Sequence, residues 1–416
     1  MKLSTIGITL LILVVITFAI VFFLYPSGPT QLPKANETGS TPEGIKEIVN
    51  VNNQFALDLY SELSKTEEGN IFYSPYSLFS ALAMTYEGAN AQTAEEIKSV
   101  LHFPDYNVLR PNFAALYNTI NTHEGSFELS TANALWVQQD YQLLDDYLTA
   151  IKNYYGGNAA NLDFEREPEK SRQIINDFIE ERTNNKIKNL LPRGSLDDST
   201  RVILTNAIYF KGYWEWKFKR INTRKRDFKT PTGVKKVLMM YMESDKAKFN
   251  YAETSDLQIL ELPYKNDKLS MLILLPKEDI ESIEPLTIEK LSEYKNLMKK
   301  IRLDEIYIPK FEVNTGYSMK KLLKSLGIST PFSPEEANFS RMTEKEDLFI
   351  FDMFHKAYVK VDEQGTEAAA ATAISFAITS AAHHRIFKAD HPFIFIIQEK
   401  DTGAILFMGR IMDPSE

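Results

Sequence analysis

Catalysis needs a nucleophile, an acid–base pair or a set of ligands at fixed spacing, and this chain offers few. None of its 416 residues is a cysteine, which excludes thiolate nucleophiles, thiolate metal sites and disulfides. Its six histidines do not fall at metal-ligand spacing. His383-His384 is the only adjacent pair, and with no acidic or cysteine partner nearby it reads as solvated imidazole before it reads as a zinc site. No G-x-S-x-G elbow, H-E-x-x-H, phosphate-binding loop or G-x-G-x-x-G is present. The residues point away from an enzyme, and no cofactor or metal is expected.

A different capability lies in Glu363-Gln364-Gly365-Thr366-Glu367-Ala368-Ala369-Ala370-Ala371-Thr372-Ala373, a stretch almost free of bulk after the strand-like run Tyr358 to Val361. Gly365 opens backbone conformations closed to other residues, and each alanine loses little side-chain entropy on ordering. Alanine also favours helix. Yet at period 2, Thr366, Ala368, Ala370, Thr372, Ile374 and Phe376 form one face, and Glu367 falls on the other. A segment so ambivalent suits a hinge that changes state, becoming a strand with Ile374 and Phe376 toward a core.

This hinge resembles that of the serpins, serine protease inhibitors that trap proteases by inserting a reactive-centre loop into a sheet. Other segments carry the same resemblance in the same order. Asn70-Ile71-Phe72-Tyr73-Ser74-Pro75-Tyr76-Ser77 is similar to the start of the family's second helix. Leu204-Thr205-Asn206-Ala207-Ile208-Tyr209-Phe210-Lys211-Gly212-Tyr213-Trp214 is similar to its central-sheet strand and the breach beyond. Phe354-His355-Lys356-Ala357, His391-Pro392-Phe393-Ile394-Phe395 and Leu406-Phe407-Met408-Gly409-Arg410 complete the match, which runs from about Ile45 to the C-terminus. It implies an α+β serpin fold: three β-sheets, a shell of helices and an exposed reactive-centre loop over about 363–388.

The resemblance also assigns roles. Glu363, Gly365, Thr366, Glu367, Ala368, Ala369, Ala370, Ala371 and Thr372 would be the inserting hinge. Ser74, Ser77, Asn206 and His355, each readable alone as a cap or satisfied core polar group, would form a buried shutter where strands part, and Trp214 would pack at the breach. A protease would attack the loop as substrate and form an acyl-enzyme. The freed hinge would then insert and drag the protease away. Some ten strand hydrogen bonds at ~0.5–1.5 kcal/mol each, with burial of Ile374 and Phe376, supply on the order of 10 kcal/mol. Counting from Gly365 puts the scissile bond between Thr379 and Ser380, whereas counting back from Pro392 gives Ala381; Ile378 and Phe376 are further alternatives. The loop is about two residues longer than the commoner spacing. Small residues at the bond imply a protease with a narrow apolar pocket, elastase-like or subtilisin-like. Arg385 would imply a trypsin-like target but lies close to the return strand. The resemblance also allows cysteine endopeptidases as targets, and the alternative function is a non-inhibitory binding or carrier protein on the same fold.

Elements must hold these residues in place. Ile45, Ile48, Val49, Phe55, Ala56, Leu59, Tyr60 and Leu63 recur at helical spacing. Ser74-Pro75 is an N-cap followed by a first-turn proline, opening a helix to Gly88. Thr93-x-x-Glu96 has the capping-box pattern of a helix ending at Leu101. Ile174, Ile175, Phe178 and Ile179 mark another helix. Strands are expected at Val202 to Phe210, Met271 to Leu275, Ile306 to Ile308, Phe393 to Ile397 and Ala404 to Met408. The continuous apolar run Ile203 to Phe210 suits a strand covered on both faces.

Composition frames this as one large domain, residues 45–416, after a short lead. With 44% hydrophobic residues the chain can bury a sizeable core, and its net charge of -9 with no basic block interleaved with aromatics argues against nucleic acid. Ile6 to Leu24 carries no charge, and 19 residues at 1.5 Å each reach ~28 Å, near the bilayer's hydrocarbon thickness. A signal peptide has a shorter apolar core and a small-x-small site, which Tyr25-Pro26-Ser27-Gly28-Pro29 lacks. Residues 1–25 are therefore expected to be an uncleaved membrane anchor and 26–44 a flexible linker. The expected product is a monomer outside the cytoplasm, at the cell surface, or secreted if the segment is cleaved.

Overall fold

Runs of β-branched and aromatic residues set the strands, and Pro or Gly at their ends sets the turns. The computed structural model describes residues 34–121, 127–243, 247–366 and 385–416. Three sheets result. An antiparallel seven-stranded sheet contains β1 (Ile71–Tyr73), β7 (Phe249–Glu253), β8 (Leu257–Pro263), β9 (Leu269–Pro276), β10 (Lys299–Ile301), β16 (Phe393–Glu399) and β17 (Ile405–Ile411), in the order β1-β17-β16-β9-β8-β7-β10. Every residue of β9, β16 and β17 is buried. These strands read as continuous apolar runs because both faces are covered.

The central sheet has six strands: β2 (Phe127–Gln138), β3 (Asn158–Leu162), β4 (Val202–Tyr213), β12 (Phe311–Ser318), β13 (Ile350–Asp362) and β14 (Gly365–Thr366), ordered β12-β13-β14-β4-β2-β3. A smaller sheet runs β15-β11-β6-β5, from β15 (Ile386–Lys388) through β11 (Glu305–Pro309) and β6 (Gly233–Glu243) to β5 (Arg224–Thr230). All five strands expected from apolar clustering form, each reaching beyond its expected limits at one or both ends. The α+β architecture of three sheets with a helical shell is as expected.

The helix Pro75–Gly88 is buried at every residue, the most enclosed helix described. Ser74 caps it, its hydroxyl accepting from the Ser77 amide at 3.2 Å, and Pro75 takes the first helical position. The expected capping box at Thr93 and Glu96 does not form. Asn90 caps the helix Ala91–Leu101 instead. The Thr93 hydroxyl accepts from the Asn338 amide, and the Glu96 carboxylate accepts from the Ser329 and Thr330 amides. Both side chains tie this helix to the chain at 329–338, a use invisible to a local pattern.

The linker expected to extend to residue 44 also needs correction. Ala35 exchanges two hydrogen bonds with the Asn118 side chain, Asn36 donates to the Asn153 carbonyl, and Thr41 caps the helix Pro42–Thr66. Ala35–Glu416 is one compact unit, so the folded body begins about ten residues before Ile45. No helix among the described residues is long and apolar enough to cross a membrane. The proposed span, residues 6–24, lies outside them.

Candidate functional site: a polar seam and an inserted hinge

β4 and β13 lie side by side in parallel, with Val202 to Tyr209 opposite Ile350 to Tyr358 and a register shift near Ile350. This register sets Asn206 directly across from His355. The helix Pro75–Gly88 brings Ser74 and Ser77 beneath the same point. Asn206 donates from Nδ2 to the Ser77 carbonyl and Oγ, each at 2.7 Å, and its Oδ1 accepts from His355 Nδ1. His355 Nε2 accepts from the Ser74 amide at 3.2 Å, and the Ser74 hydroxyl donates to the Leu406 carbonyl at 2.6 Å. All four expected residues therefore meet in one network, and all are fully buried.

Sequence reasoning missed a fifth member, Asn133 on β2. Its Oδ1 accepts from Ser77 Oγ at 2.9 Å and from Asn206 Nδ2 at 2.7 Å. The only signal in the sequence is an asparagine in the otherwise apolar run Ala132 to Val137. These hydrogen bonds fix the tautomer of His355: Nε2 must lack a proton to accept from Ser74, so Nδ1 carries it. Burial drives the imidazole pKa down to about 3, although the hydrogen bond with Asn206 works the other way. The ring is neutral at physiological pH.

This yields a pH prediction. The folded pKa lies below the unfolded value of ~6.5, so the neutral form's stabilisation is complete above ~6.5 and is lost as pH falls toward 3. By pH 5 the loss from this residue is about 2 kcal/mol. His391 works with the opposite sign. Burial lowers its pKa, but its hydrogen bonds to Asp390 and the Pro276 carbonyl outweigh that and raise it, so its contribution fades as pH rises. Denaturant titration of wild type and His355→Gln at pH 7.5 and pH 5 separates the two. The stability gap between the proteins should narrow at pH 5, and a constant gap contradicts a neutral buried His355.

At the far end of the seam the two strands diverge around β14. Gly365 pairs with Tyr213 and Asp362, and Thr366 with Gly212 and Val361, antiparallel to both neighbours. Gly365 has φ +149°, and a Cβ there would lie 2.0 Å from the Gly212 carbonyl oxygen, so no other residue fits. Thr366 is fully buried and shares a 2.8 Å hydrogen bond with Tyr264. Here the expectation of an exposed loop from residue 363 fails at its start: residues 363–366 are buried, and Gly365 and Thr366 are already strand. The cause is local, since Gly365 lets the chain reverse after Glu363-Gln364 into the open mouth of the sheet.

That mouth is clamped by the chain after β4. Trp214 stacks on Tyr264 at 4.6 Å, donates from Nε1 to the Asp362 carbonyl and from its amide to the Gln364 carbonyl. The Glu363 carboxylate is held by Lys310 Nζ and Thr223 Oγ1, both at 2.8 Å. Burial works against ionising that carboxyl, but these bonds prevail and keep its pKa below the ordinary carboxylate value. Arg385 resumes the chain with its amide donating to Asp304 Oδ2 and its carbonyl accepting from the Asp304 amide, just before β15. Its backbone is thus tied down where the return strand begins. Ile378, Thr379, Ser380 and Ala381, the hinge from Glu367 to Thr372, and His383-His384 all lie outside the described residues.

A three-sheet body whose central parallel pair opens around the first residues of a returning loop defines a strand-accepting scaffold. The chain belongs to the serpin family: the family model "Serpin (serine protease inhibitor)" matches residues 50–414. An "Uncharacterized serpin-like protein" of Methanosarcina acetivorans is 42% identical over 373 residues, covering 88% of this chain and 86% of that protein. The leukocyte elastase inhibitor of Equus caballus is 36% identical, covering 89% of this chain and all of the other. Human thyroxine-binding globulin in complex with thyroxine superposes with a TM-score of 0.81 at 29% identity, covering 90% of this chain and all of that one.

Proposed function

We propose that this protein is a suicide inhibitor of serine endopeptidases that works by loop cleavage, acyl-enzyme formation and continued insertion of the loop between β4 and β13. The observation that carries this reading is β14. Two hinge residues occupy the mouth of the seam in antiparallel register, and each further residue would replace the β4–β13 contact with two new ladders. The side chains that follow, from Ala368 to Thr372, are small enough to enter. Ser74, Ser77, Asn133, Asn206 and His355 are the shutter: hydrogen bonds across the seam exchange partners at lower cost than interdigitated apolar packing. Trp214 and Tyr264 form the breach. No residue acts as a catalyst. Removal of the reacting geometry from the protease's own active site is what halts deacylation.

The reactive bond is placed at Thr379-Ser380, with Ala381 or Ile378 as neighbouring registers, so the target has a small apolar pocket. Incubation with elastase-like and subtilisin-like proteases is expected to give an SDS-stable covalent product, with a released C-terminal peptide starting at Ser380. Efficient trapping of trypsin with cleavage after Arg385 contradicts this assignment. The likeness to a thyroxine complex favours a carrier reading, under which the loop would be cut with no covalent product. Residues 6–24 are proposed to anchor the inhibitor in the membrane, with 26–34 as the tether and the body outside the cytoplasm. Full-length protein should then sediment with membranes, and a soluble product starting near Tyr25 to Thr30 contradicts the anchor.

A further inference from the structure

The chain is acidic overall, yet one region is the reverse. Residues 215–238 hold nine of the 47 Lys and Arg but only two of the 56 Asp and Glu. The same region holds Trp216, Ile221, Val234 and Leu238, four of the five exposed large hydrophobic side chains among the described residues. Basic charge and exposed apolar surface coincide here.

Strand register explains how they share one face. β5 and β6 form a hairpin that sets Lys225 across from Leu238, Asp227 from Lys236 and Lys229 from Val234. Paired residues point to the same side. All six are exposed, while Phe228, Val237 and Met239 on the opposite side are buried. Asp227 and Lys236 form an exposed ion pair at 2.8 Å. Neither Lys225, Lys229 nor nearby Lys219 has an acidic partner among the described residues. β5 is also the open edge of its sheet. An apolar and cationic sheet face without a cover in an acidic protein calls for an anionic partner.

Its position indicates which one. Phe218 donates its amide to the Glu363 carbonyl and Thr223 bonds the Glu363 carboxylate, so the basic segment touches the start of the loop. Lys229 donates its amide to the Asp390 carbonyl at 2.8 Å, and β15, which leads out of the loop, lies in the same sheet. The ends of the loop, Thr366 and Arg385, thus both lie beside elements that carry this face. A protease domain of about 220 residues is roughly 40 Å across. Attached at a bond between those ends, it overhangs this surface.

Resting on the inhibitory reading, we propose that the outer face of the β5–β6 hairpin is a second docking surface, which selects target proteases bearing an acidic surface beside their active-site cleft. A bilayer against the same face would cover the ground that a protease must occupy to reach the loop, which favours the protein partner.

Two proteases with the same small pocket, one acidic and one basic at the surface, provide the test. Wild type should associate faster with the acidic one, at a rate that falls steeply with salt. The triple variant Lys219→Glu, Lys225→Glu, Lys229→Glu should lose ~10- to 100-fold of that rate with no change in the number of inhibitors used per trapped protease. Val234→Ser with Leu238→Ser should raise the dissociation rate of the encounter complex. Equal rates and equal salt dependence for wild type and the triple variant overturn the proposal. If no covalent product forms with either protease, the inhibitory reading fails on its own. Binding of the active-site-blocked acidic protease then decides the docking surface: weakening by the triple substitution upholds it, and unchanged or absent binding overturns it. Loss of co-sedimentation with phosphatidylglycerol vesicles, with protease association unaltered, would reassign the face to the membrane and overturn the protein partner.

Discussion

Thr366→Arg is expected to turn the protein from a trap into a substrate. Thr366 is fully buried between β4 and β13 and bonded to Tyr264, so an arginine there must either bury an unpaired charge or leave the sheet. Burial costs several kcal/mol, whereas leaving forfeits a two-residue strand and one side-chain hydrogen bond, about 1–3 kcal/mol. The hinge leaves. The uncleaved variant should fold with a modestly lowered melting temperature, since the rest of the sheet is untouched. During trapping the same arginine must re-enter first, and several kcal/mol at that step slows insertion roughly a hundredfold or more. Deacylation then wins. Gel analysis should show complete loop cleavage with almost no covalent product, while Thr366→Ser traps normally. Trapping by Thr366→Arg at the wild-type ratio rules out strand insertion.

The second large effect is expected at Asn206. Its amide donates to Ser77 and Asn133 and accepts from His355 at the point where β4 and β13 face each other. Asn206→Ala leaves the His355 Nδ1–H buried without a partner and removes the Nδ2 hydrogen bonds to Ser77 and Asn133, roughly 3–5 kcal/mol in all. That is a large share of the stability of an ordinary domain. The loss falls on the seam, so the variant should open there first and pass on mild heating to an inserted or self-associated form. Asn133→Ala should cost less, because Ser77 and His355 keep Asn206 as a partner. Denaturant midpoints for the two variants check the order, and equal losses contradict the central place given to Asn206.

Much of this was legible in the chain because local chemistry and tertiary role coincide. Ser74-Pro75 specifies a cap whatever surrounds it, and the run Ile203 to Phe210 can only be a strand covered on both faces. The hinge glycine was legible for the same reason, since a reversal at Gly365 requires it. The rest depends on partners distant in sequence. Thr93 and Glu96 carry a local capping pattern but serve residues 329–338, and Asn133 acquires its role only from a helix some fifty residues earlier. β5, Arg-Lys-Arg-Asp-Phe-Lys-Thr, has one buried side chain, so no apolar run announces it. Just before it, Lys217, Lys219 and Arg220 do interleave with Trp216 and Phe218, so the reading that the chain has no basic block interleaved with aromatics fails at this short stretch. The burial of Thr366 was missed because small side chains permit insertion without saying how far it has already gone.

Amide hydrogen exchange along β4 and β13, before and after cleavage of the loop, tests the central claim most directly. If the freed hinge continues from β14 down the seam, amides in Val202–Tyr213 and Ile350–Asp362 should become far slower to exchange after cleavage, and residues beyond Thr366 should gain protection with them. Cleavage that leaves both strands exchanging at their original rates would contradict insertion as the source of inhibition.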